Sequence, residues 1–215
     1  MFVLTADQHR STESGERVDE LLGELAPWSE RWSREIVLPL ERTVGDEVQV
    51  LLDSAEAAVD LALTLCRTEE WAVGIGAGPV DDPLGSSARA SSGAAFIEAR
   101  YAVERARGRT EPVPLVVQGE DADAAVAATA VLQLLGGVLR RRTETGWEVA
   151  DLTAAGSTRA EIAAALGITV SAVSQRARSA MLEEERRARP VAHALVTAAA
   201  GEPGWSVTPL LEKED

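Results

Sequence analysis

A mixed α/β domain followed by an all-helical domain is the fold this sequence predicts. Three observations carry the prediction. Short apolar runs rich in Val, Ile and Leu alternate with helical periodicity as far as residue 118. The composition then changes at Asp121 to an Ala-rich helical pattern running to about Arg142. Finally, residues 156–182 hold two short helical patterns joined at a glycine.

The elements follow in order. FVLTA (2–6) is an apolar strand ending at Asp7, and the polar loop QHRSTESG follows it. A helix is expected from about Glu16 to Ala26, with Val18, Leu21, Leu22 and Leu25 on one stripe, and Pro27 is expected to end it. REIVLPLERT (34–43) reads as a strand in which Pro39 signals an edge or a bulge. Gly45-Asp46 makes a turn into EVQVLLD (47–53). Ser54 caps the helix AEAAVDLALTLC, and WAVGIGAG (71–78) is the next strand. A Gly, Asp and Ser loop leads to a helix from about Ser92 to Arg107, and PVPLVV (112–117) is the last strand. The first 118 residues thus read β-α-β-β-α-β-loop-α-β, the order of a split βαβ or ferredoxin-like unit with extensions. A second helical set is expected from Trp147 to about Ala200.

Composition sets the limits. A hydrophobic content of 46% suits a packed chain, and the net charge of -14 argues against coating nucleic acid by electrostatics alone. The charge is uneven: residues 1–119 carry 11 Arg against 21 Asp and Glu, whereas residues 140–189 carry 9 Arg against 7 acids. A nucleic-acid surface is therefore expected in the second half. The lone Cys66 lies in an apolar helical pattern and reads as a core thiol in a reducing compartment. Two His, at 9 and 193, make a zinc site improbable. MFVLTAD lacks a basic region and meets an acid at position 7, unlike a signal peptide. The run Ala124 to Leu139 reads as too short and too polar to span a bilayer, so a cytoplasmic protein without a membrane partner is expected.

Two carboxylates stand out. In a split βαβ sheet the first strand and the hairpin are neighbours, so the end of the first strand (Asp7) and the start of the third (Asp46) can meet. Paired carboxylates with phosphate oxygens are what Mg²⁺ takes, and the loop after Asp7 could offer N–H groups to phosphate. Gly-Asp at a hairpin tip is equally ordinary turn chemistry. Gly74, Gly76 and Gly78 alternate rather than form a dinucleotide loop, leaving one bare strand face for a second subunit or a loop ahead of a ligand.

TAD-x-x-x-S in the first strand, GDE at the hairpin tip, and GIGAGPV followed by a helix carrying EAR resemble the SatD-like family. More distantly, residues 1–118 resemble the palm-like domain of class III nucleotidyl cyclases and diguanylate cyclases. The resemblance implies a metal role for Asp7 and Asp46, with Glu47 as helper, and Mg²⁺ or Mn²⁺ held with a nucleotide; the residues themselves demand no cofactor. Arg100 on the transferring phosphate and Arg42 on the base would be catalytic only in an active enzyme. Val48, Phe96 and Arg42 depart from the cyclase pattern, which implies a degenerate site with binding retained ahead of turnover.

GSTRAEIAAALGITVSAVSQRARSAML (156–182) is a helix-turn-helix pattern. Thr158 and Glu161 form a capping box, Gly167 turns the chain, Ile168 plugs the core and Thr169 caps the second helix. Val173, Ala177 and Ala180 point inward. Ser171, Ala172, Gln175, Arg176 and Ser179, with Arg178 at the edge, form an outward face suited to base edges and phosphates. The segment resembles MarR-like and sigma-factor DNA-reading domains. The basic run 140–142 reads equally as a phosphate grip or a helix end. EEERRAR (183–189) reads as a solvated, ion-paired face.

The expected protein is a bacterial transcriptional regulator bound to double-stranded DNA as a homodimer. A palm-like domain (1–119) would sense a nucleotide ligand or dimerise. A connecting helix (120–145), a helix-turn-helix domain (146–200) and a tail (201–215) would follow.

Overall fold

The computed structural model describes residues 1–8, 17–108 and 110–201. Its five strands form one mixed sheet in the order β2-β3-β1-β4-β5, made of β1 (Phe2–Gln8), β2 (Ile36–Arg42), β3 (Glu47–Leu52), β4 (Trp71–Ala77) and β5 (Leu115–Gly119). The central β1 is antiparallel to both neighbours, with Asp7 opposite Glu47 on one side and Ala72 on the other. Only β4 and β5 are parallel. Strand β2 is an edge, and its register slips on both sides of Leu38, the irregularity Pro39 announced. Strand β5 starts later than expected, after Pro112 and Pro114, because neither proline has an N–H for the ladder.

The helices divide between the two faces of the sheet. On one face lie α1 (Val18–Glu24), α2 (Ala26–Arg31), α3 (Ala55–Thr68) and α5 (Ala122–Arg141), packed on Leu4, Val50, Val73 and Ile75. Pro27 does not end the first helix as expected. It sits in the first turn of α2, where its missing N–H costs nothing, and the chain bends at Leu25 instead. Ser54 caps α3 by accepting from the Ala57 N–H (3.3 Å).

Helix α4 (Ala94–Arg107) covers the opposite face, and the glycines of β4 explain how. A Cβ at Gly76 would collide with the backbone of Ala95 and Ala99, and one at Gly74 with that of Ala99 and Val103. The bare face expected to receive a second subunit or a loop is thus filled by the chain's own helix, whose inward residues Ala95, Ala99 and Ala102 are equally small. The other face of β4, with Val73, Ile75 and Ala77, packs on the core as expected.

The last third is helical: α6 (Glu144–Ala154), α7 (Arg159–Leu166), α8 (Val170–Ser179) and α9 (Leu182–Ala199). Helices α6 to α8 close a small core of Val149, Ile162, Ala163 and Val173. The expected boundaries at 120 and 146 differ from the packing. Helix α5, expected as a connector, buries Ala125, Ala128, Leu132, Leu135 and Leu139 in the main core. Helix α9 starts in the small core at Leu182 and ends in the main core with Leu195, Val196 and Ala199.

By length and composition alone α5 is the one described helix that could cross a membrane, since it extends beyond the run 124–139 at both ends. A core helix passes the same test, and α5 buries Leu132, Leu135 and Leu139 in the main core.

The glycine contact yields a prediction. Gly76→Ala should destabilise the fold by about 3 kcal/mol or more, because the obstacle is helix backbone rather than a movable side chain. Gly23→Ala, in an open position of α1 with nothing within 4 Å, should instead stabilise by about 0.5–1 kcal/mol. Denaturant midpoints of the two variants check the contrast.

Candidate functional site

Two polar constellations were expected, and both can be located. The first lies where β1 and β3 end beneath α4. Alternation along β1 sends Val3, Thr5 and Asp7 toward α4. Near Val3 this face is apolar, with Leu51, Ala95 and Ala99. Toward Asp7 it turns polar, with the Gln49 amide donating to the Thr5 hydroxyl (2.9 Å). Asp7 is 4% exposed, and its carboxylate pairs with Arg107 Nε at 3.1 Å. Burial pushes the Asp7 carboxyl up to about 6; Arg107 opposes that rise, and Asp46 and Glu47 add to it. The ends of β1 and β3 therefore meet as the sequence suggested, and a bond from the Gln8 N–H to the Asp46 carbonyl (3.1 Å) ties them.

The ring around Asp7 differs from a free metal site in two respects. Arg107 places a guanidinium on the most buried carboxylate, and Glu47 accepts a hydrogen bond from the Thr43 hydroxyl. Among the described residues no group of three His, Cys, Asp or Glu is arranged to hold a metal ion. Arg100 is exposed on α4, two turns before Arg107 on the same side, and Arg42 lies 3.7 Å from Asp19. Phe96 packs against the apolar cluster beneath α4. Sequence reasoning missed Arg107, although its spacing of seven from Arg100 put it on the same stripe. The loop QHRSTESG, expected to meet phosphate, lies outside the described residues apart from Gln8. Cys66 is a core thiol as expected, and burial pushes it up to about 12.

The second constellation is the α7–α8 unit. Thr158 and Glu161 form the reciprocal capping box, with Glu161 accepting from the Thr158 N–H at 2.7 Å. Gly167 closes α7 in the left-handed region at φ +64°. Thr169 caps α8 by accepting from the Ala172 N–H at 3.1 Å. Val173 is buried, and Ser171, Gln175, Arg178 and Ser179 are exposed on α8. Ala172 is half-buried, and so is Arg176, which pairs with Glu148 on α6 at 3.0 Å. A cleft of about 310 Å³ separates α8 from the start of α6; it is lined by Thr143, Thr145, Gln175, Arg176 and Ser179.

The basic run at 140–142 proves mostly structural. Arg142 is buried and donates to the Ala180 carbonyl (3.2 and 2.9 Å) and to Glu185 (2.6 Å). Arg140 pairs with Glu69 at 3.1 Å, leaving Arg141 exposed. Trp147 lies between two guanidinium groups, Arg67 at 4.0 Å and Arg142 at 4.4 Å. Arg67 also forks onto Asp151 at 2.8 and 2.9 Å, joining α3 to α6. In the acidic-basic run, Glu183 pairs with Arg186 and Arg187 as expected of a solvated face, whereas Glu185 and Arg189 are half-buried.

Comparison with protein-family models, curated proteins and solved structures found no match.

The raised Asp7 pKa makes a stability prediction. The folded state keeps this proton up to about pH 6, whereas the unfolded chain releases it near 3.8. The stabilisation is therefore complete below 3.8 and is lost as pH rises through about 6. Asp7→Asn should gain stability over wild type on going from acid to neutral pH, by up to roughly 3 kcal/mol. Denaturant melts of both proteins across that range test it; parallel pH profiles would refute it.

Proposed function

We propose that this chain is a DNA-binding transcriptional regulator. In this reading α6 to α8 form a helix-turn-helix domain with α8 as the recognition helix. The sheet domain is a ferredoxin-like, palm-like unit of SatD-like character that senses a ligand or dimerises.

The observation that carries the proposal is the face of α8. Its inner side is sealed by Val173, while Ser171, Gln175, Arg178 and Ser179 stand in solvent on a helix capped at its N-terminus by Thr169 and held at its other end by Arg142 on the Ala180 carbonyl. Gln suits the adenine edge, Arg suits guanine or phosphate, and short hydroxyls allow close approach. The cleft beside α8 opens onto the first turn of α6, whose N–H groups can face a phosphate. Arg176, held by Glu148, is better suited to orienting α8 than to reading a base.

Gln175→Ala combined with Arg178→Ala should lower specific DNA affinity by about 10- to 100-fold while leaving thermal stability unchanged. Gel shifts on sites taken from a genome-wide binding map provide the measurement. Unchanged affinity would sink the α8 assignment.

A second reading, a nucleotide-binding or cyclase-like phosphoryl-transfer domain, draws on the convergence of Asp7, Asp46 and Glu47 at one end of the sheet. Arg107 counts against turnover there, since it supplies charge that a metal would bring. A nucleoside triphosphate with Mg²⁺ or Mn²⁺ should raise the melting temperature in wild type and fail to do so in Asp46→Ala. No shift in wild type would remove this reading.

A further inference from the structure

Helix α5 turns one face into the core and leaves the other apolar and uncovered. Leu134 is 74% exposed and Val126 63% exposed, each far more than a core helix requires. Asp123, Val126, Ala130, Leu134, Val138 and Arg141 recur at steps of three and four, which places them on one stripe. A helix of 20 residues runs about 30 Å, so the stripe is long. Beside it lies a groove of about 800 Å³ whose walls include Pro112, Leu134 and Val138.

We propose that this stripe is the contact between two copies of the chain, packed as an antiparallel, two-fold pair of α5 helices. Its residue order is self-complementary. An antiparallel pair centred between Ala130 and Leu134 sets each Ala130 against Leu134 of the partner subunit. It sets Val126 against Val138 in the same way, so the large side chain meets the small one at the centre and apolar groups meet on either side. At each end Asp123 then faces Arg141 of the partner subunit, and two-fold symmetry makes that ion pair twice. Both residues are exposed on the stripe. A parallel pair would stack Asp123 on Asp123 and Arg141 on Arg141, and like charges at both ends oppose it. The helix termini favour the same choice, since antiparallel packing brings each positive N-terminus to a negative C-terminus. The flanking groove gives the partner's Val126 and Leu134 room to seat. A lipid bilayer is the other apolar occupant for a helix of this length, but Leu132, Leu135 and Leu139 hold the opposite face of α5 in the main core, so the helix cannot be surrounded by lipid without unpacking it.

This contact stands whatever the helical domain binds. Sedimentation of the full chain from about 1 to about 100 µM should show a monomer–dimer equilibrium. Leu134→Glu should weaken association by at least about tenfold, and its melting temperature should match wild type at dilutions where both are monomeric, as expected of an exposed position. Asp123→Arg and Arg141→Asp should each weaken the dimer, and the two together should restore it, a rescue that a folding defect would not show. Mixing Ala130→Cys protein with Leu134→Cys protein and oxidising the mixture with dissolved oxygen should give mainly the mixed disulfide dimer, because only the antiparallel register opposes those positions. The proposal is overturned by a wild type monomeric throughout, by Leu134→Glu leaving the dimer intact, by cross-linked homodimers of the Leu134→Cys protein dominating the mixture, or by a monomer that floats with phospholipid vesicles.

Discussion

Helix α4 lies so close to β4 that no side chain fits between them at positions 74 and 76. The absent Cβ atoms bring helix backbone onto the sheet, and Ala95, Ala99 and Ala102 keep the helix side equally thin. That spacing sets where the last turn of α4 ends, and so it carries Arg107 to Asp7. A larger residue at either glycine would lift the helix from the sheet and the guanidinium from its carboxylate. The packing of the sheet and the charge of the acidic site thus depend on the same two positions.

The electrostatics of that site follow from burial. A carboxylate taken from water at the end of β1 either finds a cation or keeps its proton, and Asp7 does some of each. Asp46 and Glu47 stand in less buried positions of the adjoining strand end, where their charges raise the cost of ionising Asp7. The chain supplies its own counter-charge through Arg107. The face of α8 is built on the opposite principle: Ser171, Gln175, Arg178 and Ser179 sit in solvent on a helix capped by Thr169.

The helical region is not an independent appendage. Helix α9 begins in the small core of α6 to α8 and ends in the main core. Trp147, between Arg67 and Arg142, and the Arg67–Asp151 fork hold α6 against α3. Buried Arg142 ties the start of α6 to the turn after α8 through the Ala180 carbonyl. A change in the sheet layer therefore has a packed route to α8, through α3 and Arg67 on one side and through α9 on the other.

Much of this was legible in the sequence because it is local. Strand and helix periods, the caps at Ser54, Thr158 and Thr169, the turn at Gly167 and the edge character of β2 depend on neighbours in the chain, and the structure has them in place. The meeting of Asp7 with the start of β3 was also accessible, because strand order alone brings those ends together. What occupies the bare face of β4 was not, since alternating glycines announce a close approach without naming what approaches. Nor could local pattern show that Arg107 would claim Asp7, that Arg142 would be buried under Ala180, or that α5 and α9 belong to the main core. Each of those depends on residues far apart in the chain meeting through packing. By itself the sequence determined the elements, their caps and the polar character of both candidate sites; only the tertiary structure decided which charges are neutralised and which stay open, because a charge finds its partner across space rather than along the chain.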